Sequence, residues 1–355
     1  MNYRKYVRGF ILALSLFVCF NYLVWTLFTE RLLTNRYGTG GDLARLGYII
    51  DSKQARWAKV DLPKTHLKFN DYSGQRVDVL TIGDSFSIGG GEGRNNYFQD
   101  YIATISNASV LHLNMLVNDE GPLATAIVLL NSGYLDLIKP KVLLIESVER
   151  ASVDRFGKEV DFAKTSSIDT IREFYSKPSN NFNYLEKTTF LNNANLKYVY
   201  CKIAYLFSDT PTKGVVVVRK KLSQSMFKVK NDRTLLFVYD DIKNIGRTFP
   251  DSVKKLNENF NRFSEELQKK DIRLYFMPAV DKYNLYSEYI LNNPYPKSSF
   301  FEELRKLPKK YEFIDTKAIL LAALRQGEKD IYYADDTHWS WRAPELIFNQ
   351  VRFNR

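Results

Sequence analysis

Val77-Asp78-Val79-Leu80-Thr81-Ile82-Gly83-Asp84-Ser85-Phe86-Ser87 is the stretch around which the chain is read. The β-branched run from Val77 to Ile82 predicts a strand that stops abruptly at Gly83. A Gly-Asp-Ser turn then hands the chain to the glycine-rich segment Gly89-Gly90-Gly91-Glu92-Gly93. A serine on such a turn has its hydroxyl lifted off the strand end, and in an open parallel sheet that carboxyl end is where sites are built. Taken alone, Gly-Asp-Ser also makes an ordinary turn.

A second stretch gives the serine a partner: Tyr332-Tyr333-Ala334-Asp335-Asp336-Thr337-His338-Trp339-Ser340. A serine nucleophile needs a base to take its proton, and the base needs an acceptor that holds its tautomer. Asp336 and His338 are two apart, so in an extended turn both side chains lie on one side. The carboxylate then receives the Nδ1 proton while Nε2 faces the serine. The chain has only 3 histidines, so few other bases are available. His66 reads as a surface residue and His112 as a strand or core residue without a carboxylate partner nearby.

Together the two stretches resemble the SGNH (GDSL-like) superfamily of esterases and acyltransferases. The Asp-Thr-His-Trp-Ser form is similar to the SGNH-like domain of the alginate and cell-surface polysaccharide O-acetyltransferases. Three further pieces match in order: Lys141 to Arg150, Met277 to Tyr283, and Phe313-Ile314-Asp315. The likeness spans roughly residues 75–345, with a poorly matched middle. It implies a three-layer α/β/α, flavodoxin-like domain in which Ser85 is nucleophile, His338 general base and Asp336 its orienter. Asp335 is the alternative orienter, because the hydrolases of the superfamily put an aspartate three before the histidine. The family's oxyanion glycine follows the second strand, where Gly121 is the best match; a plain helix-start glycine is the other reading. The hydrolases place an asparagine after the third strand, whereas this chain has Glu146-Ser147-Val148-Glu149-Arg150, similar to the acetyltransferase branch. Arg150 then orients the site or sits in an ion pair with Glu149 or another acid. Lys282, in Asp281-Lys282-Tyr283, lines the substrate cleft or begins a helix. With Asp84 and Gly121, these residues complete the expected oxyanion and substrate set.

Phe10 to Phe28 is almost wholly apolar. Nineteen residues of helix, rising about 1.5 Å each, approach the roughly 30 Å of a bilayer core. Arg4, Lys5 and Arg8 precede the run, which keeps the N-terminus cytoplasmic. The rival is a cleaved signal peptide, but no small-x-small site follows and the run is long for one. The expected organisation is therefore residues 1–30 as cytoplasmic tip and anchor, 31–74 as a juxtamembrane linker, and 75–355 as the SGNH-like domain. Gly38-Thr39-Gly40-Gly41 marks a flexible spot in that linker.

Alternating strands and helices run through the rest, which predicts a parallel sheet covered on both faces. Strands are expected at 110–114, 141–145, 235–239, 272–277 (ended by Pro278) and 312–314, with another at 214–218. Residues 151–233 form a basic insertion. Of the overall +11 charge, Lys197 to Arg233 carries nine Lys and Arg against Asp209 and Asp232. Export argues against nucleic acid, and a solvated face, anionic lipid or an acidic polymer fits better. No P-loop, dinucleotide or metal motif is present, so no cofactor is implied. Cys19 and Cys201 fall in membrane and soluble parts, so no disulfide is expected.

The function these readings imply is a membrane-anchored, periplasmic or otherwise extracytoplasmic transferase that moves an acetyl group through Ser85 to a hydroxyl of a cell-surface polysaccharide. The resemblance also implies a polytopic membrane acyltransferase as the source of acetyl groups. Two alternatives use the same chain differently: an esterase with water as acceptor, and a non-catalytic glycan-binding or assembly subunit.

Overall fold

The computed structural model describes residues 3–34, 40–56, 61–116, 120–177, 189–209, 216–247 and 249–353. Gly38, Thr39, Gly214 and Val215, named above, lie outside the described residues. The chain is an α/β protein with a six-stranded parallel sheet and one long apolar N-terminal helix. The strands of that sheet are β1 (Leu67–Lys68), β2 (Val79–Ile82), β3 (Val110–Leu113) and β4 (Val142–Val148), then β7 (Arg273–Ala279) and β8 (Glu312–Phe313). Between β4 and β7 comes an antiparallel hairpin of β5 (Val217–Lys221) and β6 (Thr234–Val238).

The sheet order is β1-β3-β2-β4-β7-β8. Every residue of β2, β3 and β4 is buried, as expected of central parallel strands whose sequences are continuous apolar runs. The chain leaves β2 toward β3 on one side and returns to β4 on the other, so a crevice opens beyond the carboxyl end of β2. Register keeps Ile82 level with both Leu113 and Ile145, and β4 runs on to Val148 beside it. Ser85 thus sits in the crevice, with Glu146 to Val148 as one wall.

Pro278 does not end its strand, which continues to Ala279. Phe276 accepts from Ile314 at 2.9 Å, so residue 278, of the same parity, also faces the β8 side. β8 has stopped by then, and no ladder partner needs the N–H that proline lacks.

The expected linker at 31–74 is instead built into the domain. Asp42–Gly47 is a helix, Leu67 and Lys68 add the edge strand, and Leu43 and Ile49 pack with Cys201, Tyr205, Val217 and Leu236 in a second small core. His66 is buried rather than exposed: its Nδ1 lies 2.7 Å from Asp100 and its ring rests against Tyr97. His112 is a buried strand residue, as expected, and burial with nearby His66 pulls its imidazole down to about 3. The basic insertion holds the helices Ile168–Ser176 and Asn193–Phe207 and the hairpin. Both cysteines are free.

Candidate active site

The turn after β2 and the loop before the last helix meet. Ser85 Oγ lies 2.8 Å from His338 Nε2, and His338 Nδ1 lies 2.7 Å from Asp336 Oδ1. The same carboxylate oxygen accepts the His338 backbone N–H at 3.0 Å, which fixes the two-residue spacing as a closed ring. An antiparallel bridge between Tyr332 and Trp339 pinches the ends of this loop together. Phe86 packs against both His338 and Trp339, at ring separations of 4.9 and 4.8 Å. Gly90 lets the glycine-rich loop pass over the imidazole, since a Cβ there would lie 2.3 Å from His338 Cδ2. Ser85 is half-buried.

Burial pulls the His338 imidazole down, but the hydrogen bond and charge of Asp336, with Asp42 behind, raise it above its ordinary value. Burial would raise Asp336, yet His338 and the Arg56 guanidinium hold it well below the carboxylate range. The pair is therefore a carboxylate facing an imidazole that readily takes a proton.

The turn itself is pinned by carboxylates. Asp84 Oδ2 accepts from the Val148 N–H at 2.9 Å and from Arg155 at 2.5 Å, and its Oδ1 accepts from the Phe86 N–H at 3.3 Å. Despite burial, Arg155 and these N–H groups keep Asp84 below its usual range. Glu146 Oε2 accepts from the Asp84 N–H at 3.0 Å and the Ser87 hydroxyl at 2.7 Å, while burial and the Asp84 charge push its pKa well up. Asp84 thus shapes the nucleophile turn, and its oxygens are turned inward.

Lys282 and Arg150 also serve the frame, away from the expected substrate role. Lys282 is 1% exposed and its Nζ donates to the carbonyls of Tyr333, Ala334 and Asp336 at 2.7, 3.1 and 2.9 Å. Three acceptors use the three ammonium protons and stitch the Asp-His loop to the end of β7. Arg150 Nη1 pairs with Asp281 at 2.7 Å and Asp241 at 3.2 Å, so the ion pair is with acids other than Glu149. Glu149 instead accepts from Asn284 and the Asp281 N–H at 2.7 and 2.9 Å. Gly121 opens the helix Gly121–Asn131 with φ +84°, and a Cβ on it would meet the Arg155 side chain at 3.1 Å. Its N–H belongs to the first helical turn, where the helix itself offers no acceptor. Asp335 does not face the imidazole. Its carboxylate accepts from the N–H groups of Gly41 and Gln54, both at 3.0 Å, and from Arg56 at 2.8 Å.

Those last contacts reveal residues that motif reading passed over. Arg56 bridges Asp335 and Asp336, donates to the Gly91 carbonyl at 2.6 Å, and lies 4.0 Å over the Tyr333 ring. Asp42 accepts the Thr337 N–H at 2.7 Å and offers its own N–H to Asp336 at 3.3 Å. Asp42, Asp336 and His338 each bring one potential metal-ligand atom within 4.8 Å of the others. Within it the Asp42 carboxylate accepts from the Thr337 N–H and hydroxyl, and Asp336 accepts from the Asp42 N–H and faces the imidazole. Only long-range pairing reveals Arg56 and Asp42. Arg155 had a faint local signal, a basic residue in the last turn of the helix that follows β4. No protein-family model matches the chain, and no curated protein matches it at a significant level.

Proposed function

We propose that the chain is a membrane-anchored, extracytoplasmic serine O-acyltransferase of the SGNH kind, carrying acetyl groups to hydroxyls of a cell-surface polysaccharide. The observation that carries this reading is the Ser85–His338–Asp336 relay at 2.8 and 2.7 Å, at the crevice of a parallel sheet. Without β1, the order β3-β2-β4-β7-β8 is the flavodoxin-like succession, which supports the three-layer SGNH architecture.

In this mechanism Ser85 Oγ attacks the carbonyl of an acyl donor while His338 Nε2 takes its proton. Asp336 holds the Nδ1 proton and the growing imidazolium charge. The N–H groups of Ser85 and Gly121 receive the oxyanion, an interaction worth about 3–4 kcal/mol per donor in comparable sites. The tetrahedral centre collapses, His338 gives its proton to the leaving group, and Ser85 carries an acyl ester. A sugar hydroxyl then attacks, His338 takes that proton, and Ser85 is restored as the acylated glycan leaves. The chain's own residues supply every proton transfer, and acetyl groups would come from a polytopic membrane acyltransferase.

The anchor reading rests on the helix Tyr3–Leu33, which contains an 18-residue stretch of mean hydropathy 2.1. Its outer turns pack into the domain, with Asn21, Val24, Trp25, Thr29 and Leu32 buried, contacts that a cleaved signal would forfeit. The test is a pre-steady-state assay with an activated acetyl ester and a panel of surface glycans. Expected are a burst, slow turnover in water, and faster turnover with acetylated sugar when the acceptor is present. Rapid burst-free hydrolysis that no glycan alters assigns the chain to the esterases. Full turnover by Ser85→Ala removes the covalent mechanism.

A further inference from the structure

The helix Asn193–Phe207 has two faces of unlike character. One packs inward through Asn195, Tyr198, Cys201 and Tyr205, all buried. Asn195 Nδ2 donates to Asn21 Oδ1 at 2.9 Å, and its Oδ1 accepts from the Thr29 hydroxyl at 2.6 Å. Tyr198 stacks on Phe28 with ring centroids 4.8 Å apart, and Phe190 meets Tyr22 edge-on at 6.3 Å. The helix therefore begins alongside the outer turns of the apolar N-terminal helix, where that helix widens into a π-turn at Trp25–Thr29. Asn21 and Asn195, costly polar groups in an apolar layer, satisfy one another.

The other face exposes Leu196, Tyr200, Ile203 and Phe207, the last at 86%. Steps of four, three and four, at about 100° per residue, put these four on a single stripe opposite the packed face. Leu206, 80% exposed, lies on one shoulder of that stripe and exposed Lys197 on the other, while Lys202 lies back toward the packed face with its ammonium 5.5 Å over the Tyr198 ring. On the neighbouring N-terminal helix Tyr22, Leu23 and Leu27 are exposed beside the turns that contact Asn195 and Tyr198. The solvent that accommodates those residues reaches the near end of the stripe, at Leu196 and Tyr200. A broad exposed apolar stripe edged by a lysine is the pattern of a helix lying in a bilayer interface.

We propose that Asn193–Phe207 is a second membrane-contacting element, resting in the outer interfacial layer with Leu196, Tyr200, Ile203 and Phe207 toward the acyl chains and Lys197 toward lipid phosphates. The proposal rests on the anchor reading above. It fixes the domain's orientation over the lipid surface, because two non-collinear helices define a plane where one defines only a pivot.

The experiment uses the full chain with Cys19→Ala, leaving buried Cys201 in place, in nanodiscs of phosphatidylcholine and phosphatidylglycerol. Nitroxide labels are attached at Ile203→Cys and Phe207→Cys, at Leu14→Cys within the span, and at Lys254→Cys on an exposed helix face. Collision rates with oxygen and with a water-soluble nickel complex are compared. Expected is an oxygen-to-nickel ratio at 203 and 207 close to that at Leu14 and severalfold above that at Lys254. Ratios at both positions equal to that at Lys254, with Leu14 still lipid-exposed, overturn the proposal and leave the anchor standing. An aqueous ratio at Leu14 overturns the anchor, and the proposal with it. Labels that are aqueous in nanodiscs but shielded from both reagents in native membranes also overturn it, in favour of a protein partner on this face.

Discussion

The two halves of the site are held by different kinds of structure. Ser85 stands just beyond a fully buried central strand, and its turn is fixed by Asp84 within it and by Glu146 and Val148 of the adjacent strand β4. His338 stands on a loop with little regular structure, and that loop is held from outside by Gly41, Asp42, Gln54 and Arg56. Ser85 is placed by a turn that continues a buried strand, whereas His338 is placed by the residue 41–56 strap together with Lys282 at the end of β7. Both halves use buried charges, and each lost partner leaves a charge without compensation.

The largest effects should erase the comparison altogether. Ser85→Ala or His338→Ala should lower ester turnover by about a millionfold, and the double variant should fall no further, since the pair acts as a unit. Asp336→Ala should lose about ten-thousandfold. A double variant much worse than either single one, in steady-state assays, would mean that the two halves act independently.

Removing the strap's central cation tests the second half. Arg56→Ala strands Asp335, whose side chain is fully buried, and should lower unfolding free energy by about 3–5 kcal/mol in urea titrations. Turnover by the folded fraction should fall as well, and Arg56→Lys should recover only part of it, because one ammonium cannot span both aspartates. The halves meet at Gly90. Gly90→Ala drives a methyl into the imidazole, so it should cut kcat strongly while destabilising by only about 1–3 kcal/mol.

Smaller effects separate the carboxylates. Glu146 has a raised pKa, so the folded chain keeps a proton that the unfolded chain sheds, and stability falls as pH rises above the ordinary value of 4.5. Glu146→Gln should remove that fall and be neutral or stabilising at pH 7. Asp84 is depressed, so its contribution is present above 3.8 and lost as pH drops through its folded value. Asp84→Asn should therefore destabilise at neutral pH, by thermal or urea unfolding. His338 must be neutral to accept the serine proton, so acylation should decline on the acid side with a midpoint above 6.5. Asp42→Asn removes a charge that favours the imidazolium and should move that midpoint to lower pH; a midpoint unmoved or raised would detach Asp42 from the relay.

How much of this was legible in the sequence follows the same division. The strands around Ser85 declare themselves as apolar runs closed by glycine, and the Asp-x-His pair is short enough to be read as one turn. The Arg150 and Lys282 motifs were visible, but not the direction in which their charges point, because that depends on Asp241, Asp281 and three carbonyls brought in by folding. The strap was read as a spacer because it is polar and lacks periodicity. Its partners lie 279 to 295 residues along the chain, a distance at which local patterns carry no information. His66 was misplaced for a related reason: its partner Asp100 belongs to a helix 34 residues away.

The strap also has a consequence in time. The residues that brace His338 are made well before Asp335 to His338, which follow them by 279 to 295 residues. Closing so long a loop carries a large entropic toll, which rises only slowly with length but must be met before any contact in the strap forms. Order of synthesis therefore orders the site. A chain whose later residues are not yet made has Ser85 in place but no seated His338.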